Sequence, residues 1–172
     1  TFSDWLDQGL AKKVDYNPQK AEQILQQAGY KKVGGIYQTP DGKPLSFTMI
    51  NIGGYSDWVA SAQLVQEQLK AVGIKVTPQN LSSQTYDTDV YNGHYQLAYD
   101  GNQVAGPTPY YELRSLLYSK GSAPIGKSAG SDWERYSNPQ TDKLIEDYAA
   151  TSDPAKQHQI VKQLQAVMVN EI

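Results

Sequence analysis

Apolar residues recur at helical spacing in three stretches that open with the same signal, a capping side chain followed by proline at the first helical position: Asn17-Pro18, Asn138-Pro139 and Asp153-Pro154. The first carries Ala21, Ile24, Leu25 and Ala28 on one face and stops at Gly29, a residue able to take the left-handed closing conformation. This predicts a short amphipathic helix. The second carries Leu144, Ile145 and Tyr148, and the third Ile160, Val161, Leu164, Val167 and Met168. Only a short turn around Ser152 joins these two, so they are expected to pack as neighbours on a common core.

A different period lies between them. Ile36-Tyr37, a Pro40-Asp41-Gly42 turn and the run Leu45 to Asn51, where Leu45, Phe47 and Met49 alternate with Ser46 and Thr48, predict a hairpin feeding a strand. A helix follows from about Asp57 to Val72, with Trp58, Ala62, Val65, Leu69 and Val72 on one stripe and Gly73 as its stop. Ile74 to Val76 starts a second strand. A helix around Thr85 to Tyr91 then leads through Asn92-Gly93 to a third strand, Tyr95 to Tyr99. Glu112 to Tyr118 is one more helix-like run. The order βαβαβ implies an α/β fold with a mixed, mostly parallel sheet flanked by helices, because parallel pairing needs crossovers of a dozen or more residues.

In such sheets ligands sit beyond the carboxyl ends of the strands. Here those ends lead into Asn51 to Ser56 and Asp100 to Gly106, loops rich in glycine and hydrogen-bonding side chains. The candidate ligand-binding residues are Gly53, Gly54, Tyr55, Asp57, Trp58, Asp100, Asn102, Gln103 and Tyr110. Some have a plainer reading. Trp58 lies on the apolar stripe of its helix and suits a core, Asp57 suits the first turn of a helix, and Tyr110 and Tyr111 divide between packing and lining a cleft. Tyr55 lies off the stripe.

The chemistry in these loops points to holding a ligand. They offer aromatic faces, amides and a carboxylate, without histidine or cysteine. The only histidines, His94 and His158, are far apart and belong to no ligand-spaced motif, so no catalytic residue, metal site or cofactor is assigned. Among the aromatic residues, 13 tyrosines and 3 tryptophans stand against 2 phenylalanines. Most of them therefore carry a polar end that can stack on a ligand and hydrogen-bond to it.

Charge narrows the partners. The net charge is -3, and no run of basic residues offers a footprint for nucleic acid or anionic lipid. A length of 172 residues suits one domain, and the absence of cysteine removes disulfides and thiolate chemistry. Thr1 to Leu10 lacks the pattern of a signal peptide, and no stretch approaches the ~20 apolar residues of a membrane span. An exported protein would carry its signal outside this chain.

One motif competes. Gly121 to Ser128 matches the phosphate-loop pattern of nucleotide hydrolases letter for letter. That pattern needs a strand before it and a helix starting at its lysine. Here Pro124 removes an amide inside the loop, a helix-like run precedes it, and Ala129-Gly130-Ser131 leaves little helix after it. A nucleotide-binding or hydrolysing domain is thus the alternative class.

The runs Tyr16 to Tyr30, Pro40 to Phe47 and Gln63 to Val76, with Tyr136 to Asp142 and its following helix pair, resemble the carboxy-terminal lobe of the family 5 solute-binding proteins, the dipeptide and oligopeptide binders of ABC importers. The resemblance covers nearly the whole chain. It implies a type II periplasmic-binding-protein lobe, with residues 1–172 forming a single but incomplete domain of a larger two-lobe receptor that closes on its ligand. It further implies a non-enzymatic component of a transporter, partnered by a permease, in the periplasm or at the cell surface, including lipid-anchored forms; the fragment itself is expected to be monomeric.

The resemblance also bears on ligand class. Peptide-binding members place an aspartate after the third strand to pair with the ligand's amino terminus; this chain has Asn102 to Pro107 there, and its nearest carboxylate is Asp100. Gly54-Tyr55-Ser56-Asp57-Trp58 is similar to the Gly-Trp-Thr-Asp-Trp stretch of the cello-oligosaccharide-binding branch. That likeness makes Tyr55 a stacking platform, with Asn102 and Gln103 as neutral hydrogen-bonding partners. Peptides and oligosaccharides are the two ligand classes it leaves.

Overall fold

The cap signals behave as their chemistry requires. In the computed structural model, which describes residues 2–13, 15–101 and 106–171, the Asn17 side chain accepts from the Lys20 amide and opens helix α2 (Pro18–Gln27). Asn138 accepts from Gln140 and opens α6 (Pro139–Ala149). The Asp153 carboxylate accepts from Ala155 at the start of α7 (Pro154–Glu171). A short helix, α1 (Gln8–Ala11), precedes them, capped by Asp7.

Backbone contacts group the chain into two compact units. One comprises Tyr16–Val90 and His94–Gly101, and is built on the predicted βαβαβ run. Strand β3 (Ser46–Ile52) is followed by α3 (Ser56–Val72), β4 (Lys75–Leu81), α4 (Ser83–Asn92, whose last two residues fall in the other unit) and β5 (Leu97–Ala98). β3 lies at the centre of the sheet and pairs in parallel with both neighbours, Ser46 opposite Lys75 through Ile52 opposite Leu81 on one side and Met49 opposite Leu97 on the other. Met49, Ala62 and Val76 form the buried core beneath α3.

Several boundaries differ from expectation. β4 runs on to Leu81 through Pro78, which is tolerated because β4 has a neighbour on one side only and the missing amide breaks no ladder there. The third strand shrinks to Leu97–Ala98. The hairpin forms between β1 (Lys31–Val33) and β2 (Ile36–Gln38) around Gly34-Gly35, whereas the Pro40-Asp41-Gly42 turn yields a single bridge, Gln38 to Pro44. β1 is exposed along its length, so no apolar alternation announced it. Ile24, placed on the inner face of α2, is exposed; no residue of that helix is fully buried.

The other unit comprises Thr1–Asp15, Tyr91–Gly93 and Asn102–Ile172. Its core joins α5 (Tyr110–Leu117) to α6 and α7 through Leu113, Leu117, Ile145, Val161 and Leu164, which confirms the last two helices as packing neighbours. Trp5 stacks on His158 with ring centroids 3.6 Å apart, tying the amino-terminal segment to α7.

Candidate functional site

Three carboxyl-terminal strand ends meet in the sheet-bearing unit, and an aromatic cluster collects there. Trp58, in the first turn of α3, is its centre. Its ring stands near-perpendicular to those of Tyr55, Tyr86 and Tyr99, with centroid separations of 5.2, 6.1 and 5.7 Å. Tyr55 comes from the loop after β3, Tyr86 from the first turn of α4, and Tyr99 from just beyond β5. Such edge-to-face pairs are each worth about 0.5–1.5 kcal/mol beyond their burial.

The four rings differ in what they leave open. Tyr86 is buried and donates its hydroxyl to the Tyr99 carbonyl at 2.8 Å, which pins the end of β5 against α4. Trp58 is half-buried. Tyr55 is 48 % exposed, so about half of this aromatic residue is open to solvent while its ring packs on Trp58. Asp57 is exposed in the first turn of α3, where a carboxylate suits the helix dipole.

Glycines set the close approaches. A Cβ on Gly53 would lie 3.1 Å from the Cβ of Asn80, and the Gly53 amide donates to Leu81 at 2.9 Å, so the loop leaves β3 against the end of β4. Gly54 meets nothing and is exposed. A Cβ on Gly101 would stand 3.3 Å from the Trp58 indole, so Gly101 lies close against that ring.

Asp100 accepts from the Gly101 amide at 2.7 Å. Partial desolvation raises its pKa above the usual carboxylate value, and the negative charge of Asp87 adds to this, while the hydrogen bonds from Gly101 and from Tyr86 pull the other way. Burial, with the charge of Asp100 next, raises the Tyr86 phenol.

Of the residues predicted from sequence, Gly53, Gly54, Tyr55, Asp57, Trp58 and Asp100 therefore occur in one neighbourhood. Asn102 and Gln103 lie outside the described residues. Tyr110 is in the helical unit, buried, stacked on Tyr148 at 3.9 Å and donating its hydroxyl to the Ile145 carbonyl at 3.1 Å; both its face and its polar end are used by packing. Tyr86 and Tyr99 were not singled out from sequence. Their signals were ordinary: Tyr86 shares a helical stripe with Val90, and Tyr99 ends a short apolar run.

His94 is elsewhere. It lines a cavity of about 370 Å³ with Thr48, Gln79, Asp89 and Gln96, at the amino-terminal ends of β3 and β5. Among the described residues, no group of three or more histidine or acidic side chains is placed to hold a metal ion. The phosphate-loop match has neither of the elements it requires. Gly121 ends a 3₁₀ turn, the Gly126 amide donates to Asn92 and that of Lys127 to Pro124, and the next helix starts only at Pro139. With no strand before it and no helix at Lys127, its amides close a turn and form no phosphate cradle.

Residues 1–124 match the family described as bacterial extracellular solute-binding proteins, family 5 Middle. The oligopeptide-binding protein AppA of Bacillus subtilis is 31% identical over 144 residues, which is 82% of this chain and 25% of that protein. Among solved structures, a mannohexaose-bound periplasmic oligopeptide-binding protein of Thermotoga maritima superposes with a TM-score of 0.88 at 25% identity, over 97% of this chain and 32% of its own. The nonapeptide complex of Bacillus subtilis AppA gives a TM-score of 0.74 at 28% identity, over 89% and 30%. The fold is thus that of type II periplasmic binding proteins, and this chain spans between a quarter and a third of the length of these relatives.

Proposed function

Because this chain belongs to the family 5 bacterial extracellular solute-binding proteins, we propose that it forms the carboxy-terminal lobe of a receptor that captures an oligosaccharide or oligopeptide outside the cytoplasmic membrane and delivers it to an ABC permease. Residues 1–172 supply one side of the ligand cleft, and the remainder of the receptor supplies the other. The protein holds its ligand without transforming it. Family members are extracellular binding proteins, and among the described residues no helix is long and apolar enough to cross a membrane. The receptor acts in the periplasm or on the cell surface, where a lipid anchor would retain it.

The observation that carries this reading is Tyr55, an exposed ring braced on Trp58 beside Asp100, at the edge of the sheet where α/β folds bind ligands. A ring held this way is suited to stack on a sugar face, and this feature favours the oligosaccharide over the peptide. A thermal-shift and calorimetric screen of the intact receptor against oligosaccharide and peptide panels tests it. Stabilisation by an oligosaccharide supports the reading; loss of affinity on acetylating a peptide's amino group would move the assignment to peptides; silence in both panels would overturn it.

A further inference from the structure

Asn51 is the one residue of the central strand whose burial lacks a packing explanation. It is 0% exposed, and neither its amide nitrogen nor its oxygen has a hydrogen-bond partner among the described residues. Thr141 and Asp132, the other fully buried polar residues, each have a partner in Tyr136. Its neighbours along β3 are Met49, Ile50 and Ile52, all buried, so a hydrocarbon would suit this position at lower cost. Both halves of a carboxamide are unmet here.

Its place in the fold gives the amide a use. Met49 packs on Ala62 of α3 and Val76 of β4, and strand alternation puts Asn51 on the same face, two residues closer to the carboxyl end. Toward that end α3 begins, with Trp58 and the aromatic cluster in its first turn. The chain leaves this end through Gly53, whose amide donates to the Leu81 carbonyl at 2.9 Å, and Gly54, where the ideal Cβ meets nothing within 4 Å; both are exposed.

We propose that Asn51 is the polar floor of the ligand site and a specificity-determining residue, reached when the backbone at Gly54 shifts and reading a neutral hydrogen-bonding group of the ligand. A carboxamide offers donor and acceptor side by side. It complements a group that also does both, a sugar hydroxyl or a peptide amide, and it has no charge with which to pair an ammonium or a carboxylate. A ligand group that satisfies Asn51 removes a penalty the empty receptor carries, so binding gains from a contact that is costly to leave unmade. This inference rests on the receptor reading above and deepens it.

The test is calorimetry on the intact receptor and its Asn51→Leu and Asn51→Val variants, with mannohexaose and an N-acetylated, C-amidated nonapeptide as probes and the melting temperature of the ligand-free protein as a control on folding. The expected result is at least a tenfold loss of affinity in both variants for whichever probe the wild type binds, with an unchanged or raised melting temperature. The two probes distinguish a hydroxyl from an amide as the group read. Affinity within twofold of wild type in either folded variant would overturn the role of Asn51 and leave the receptor reading standing. A wild type that binds neither probe and is stabilised by no member of the oligosaccharide and peptide panels would overturn both.

Discussion

Tyr55 and Trp58 stand three residues apart across the start of one helix with their rings nearly perpendicular, 5.2 Å between centroids, the first exposed and the second half-buried. The two should therefore separate on mutation. In the intact receptor, Tyr55→Ala is expected to lower ligand affinity about tenfold while shifting the melting temperature little, since an exposed ring contributes little to folding. Trp58→Ala removes the support of three tyrosines and should cost about 3–5 kcal/mol of stability, read from urea denaturation. Equal effects of the two substitutions on stability would contradict this division.

Gly73 closes α3 with φ at 93°, and a Cβ there would lie 2.7 Å from Lys32 Cε, 3.0 Å from the Tyr37 ring and 3.1 Å from the Gly35 carbonyl. Gly73→Ala combines left-handed strain with a clash against the β1–β2 hairpin. The expected loss is about 1–3 kcal/mol, seen as a lower denaturation midpoint with the m-value preserved. Gly54→Ala, in open space without a positive φ, is the matched control and should be near neutral.

Asp132 supplies a pH signature. It is buried, sits at φ 49°, and accepts from the Tyr136 amide through one oxygen while the other lacks a partner. Burial raises its pKa from 3.8 to about 6; the Tyr136 hydrogen bond, the nearby Ser122 hydroxyl and Arg135 oppose this, and Glu134 reinforces it. A carboxyl whose folded pKa exceeds its unfolded one favours the fold when protonated. Its contribution is complete below about pH 4 and is lost as pH rises toward about 6. Asp132→Asn keeps the side-chain shape and tolerates the left-handed backbone. It should match wild type near pH 4 and exceed it at pH 7, and pH-dependent chemical denaturation would show the two curves diverging between those limits.

The nucleotide-loop pattern yields a negative expectation. Lys127 and Ser128 are exposed on a turn without a helix behind it. ATP with magnesium should produce no heat of binding, and Lys127→Ala should change nothing. Micromolar binding abolished by that substitution would contradict the turn geometry.

Local chemistry was readable along the chain wherever one residue and its near neighbours decide the conformation. The asparagine and aspartate caps before Pro18, Pro139 and Pro154, the glycine stop at Gly73, and the alternation of helix and strand periods that makes the sheet parallel all depend on contacts within a few residues. The loops that bear Tyr55 and Asp100 followed from the same order, because the carboxyl ends of parallel strands lie on one edge. Tertiary structure decided the rest. Whether Tyr110 faces a ligand or a core depends on Tyr148, 38 residues on; whether Trp58 is alone or ringed depends on α4 and β5; whether Asn51 is wet or orphaned depends on what covers both faces of β3. A side chain's type is local, but its burial is a sum over distant neighbours. Tyr55 was legible as an aromatic group at the right edge, and only packing showed that its ring stays exposed and braced.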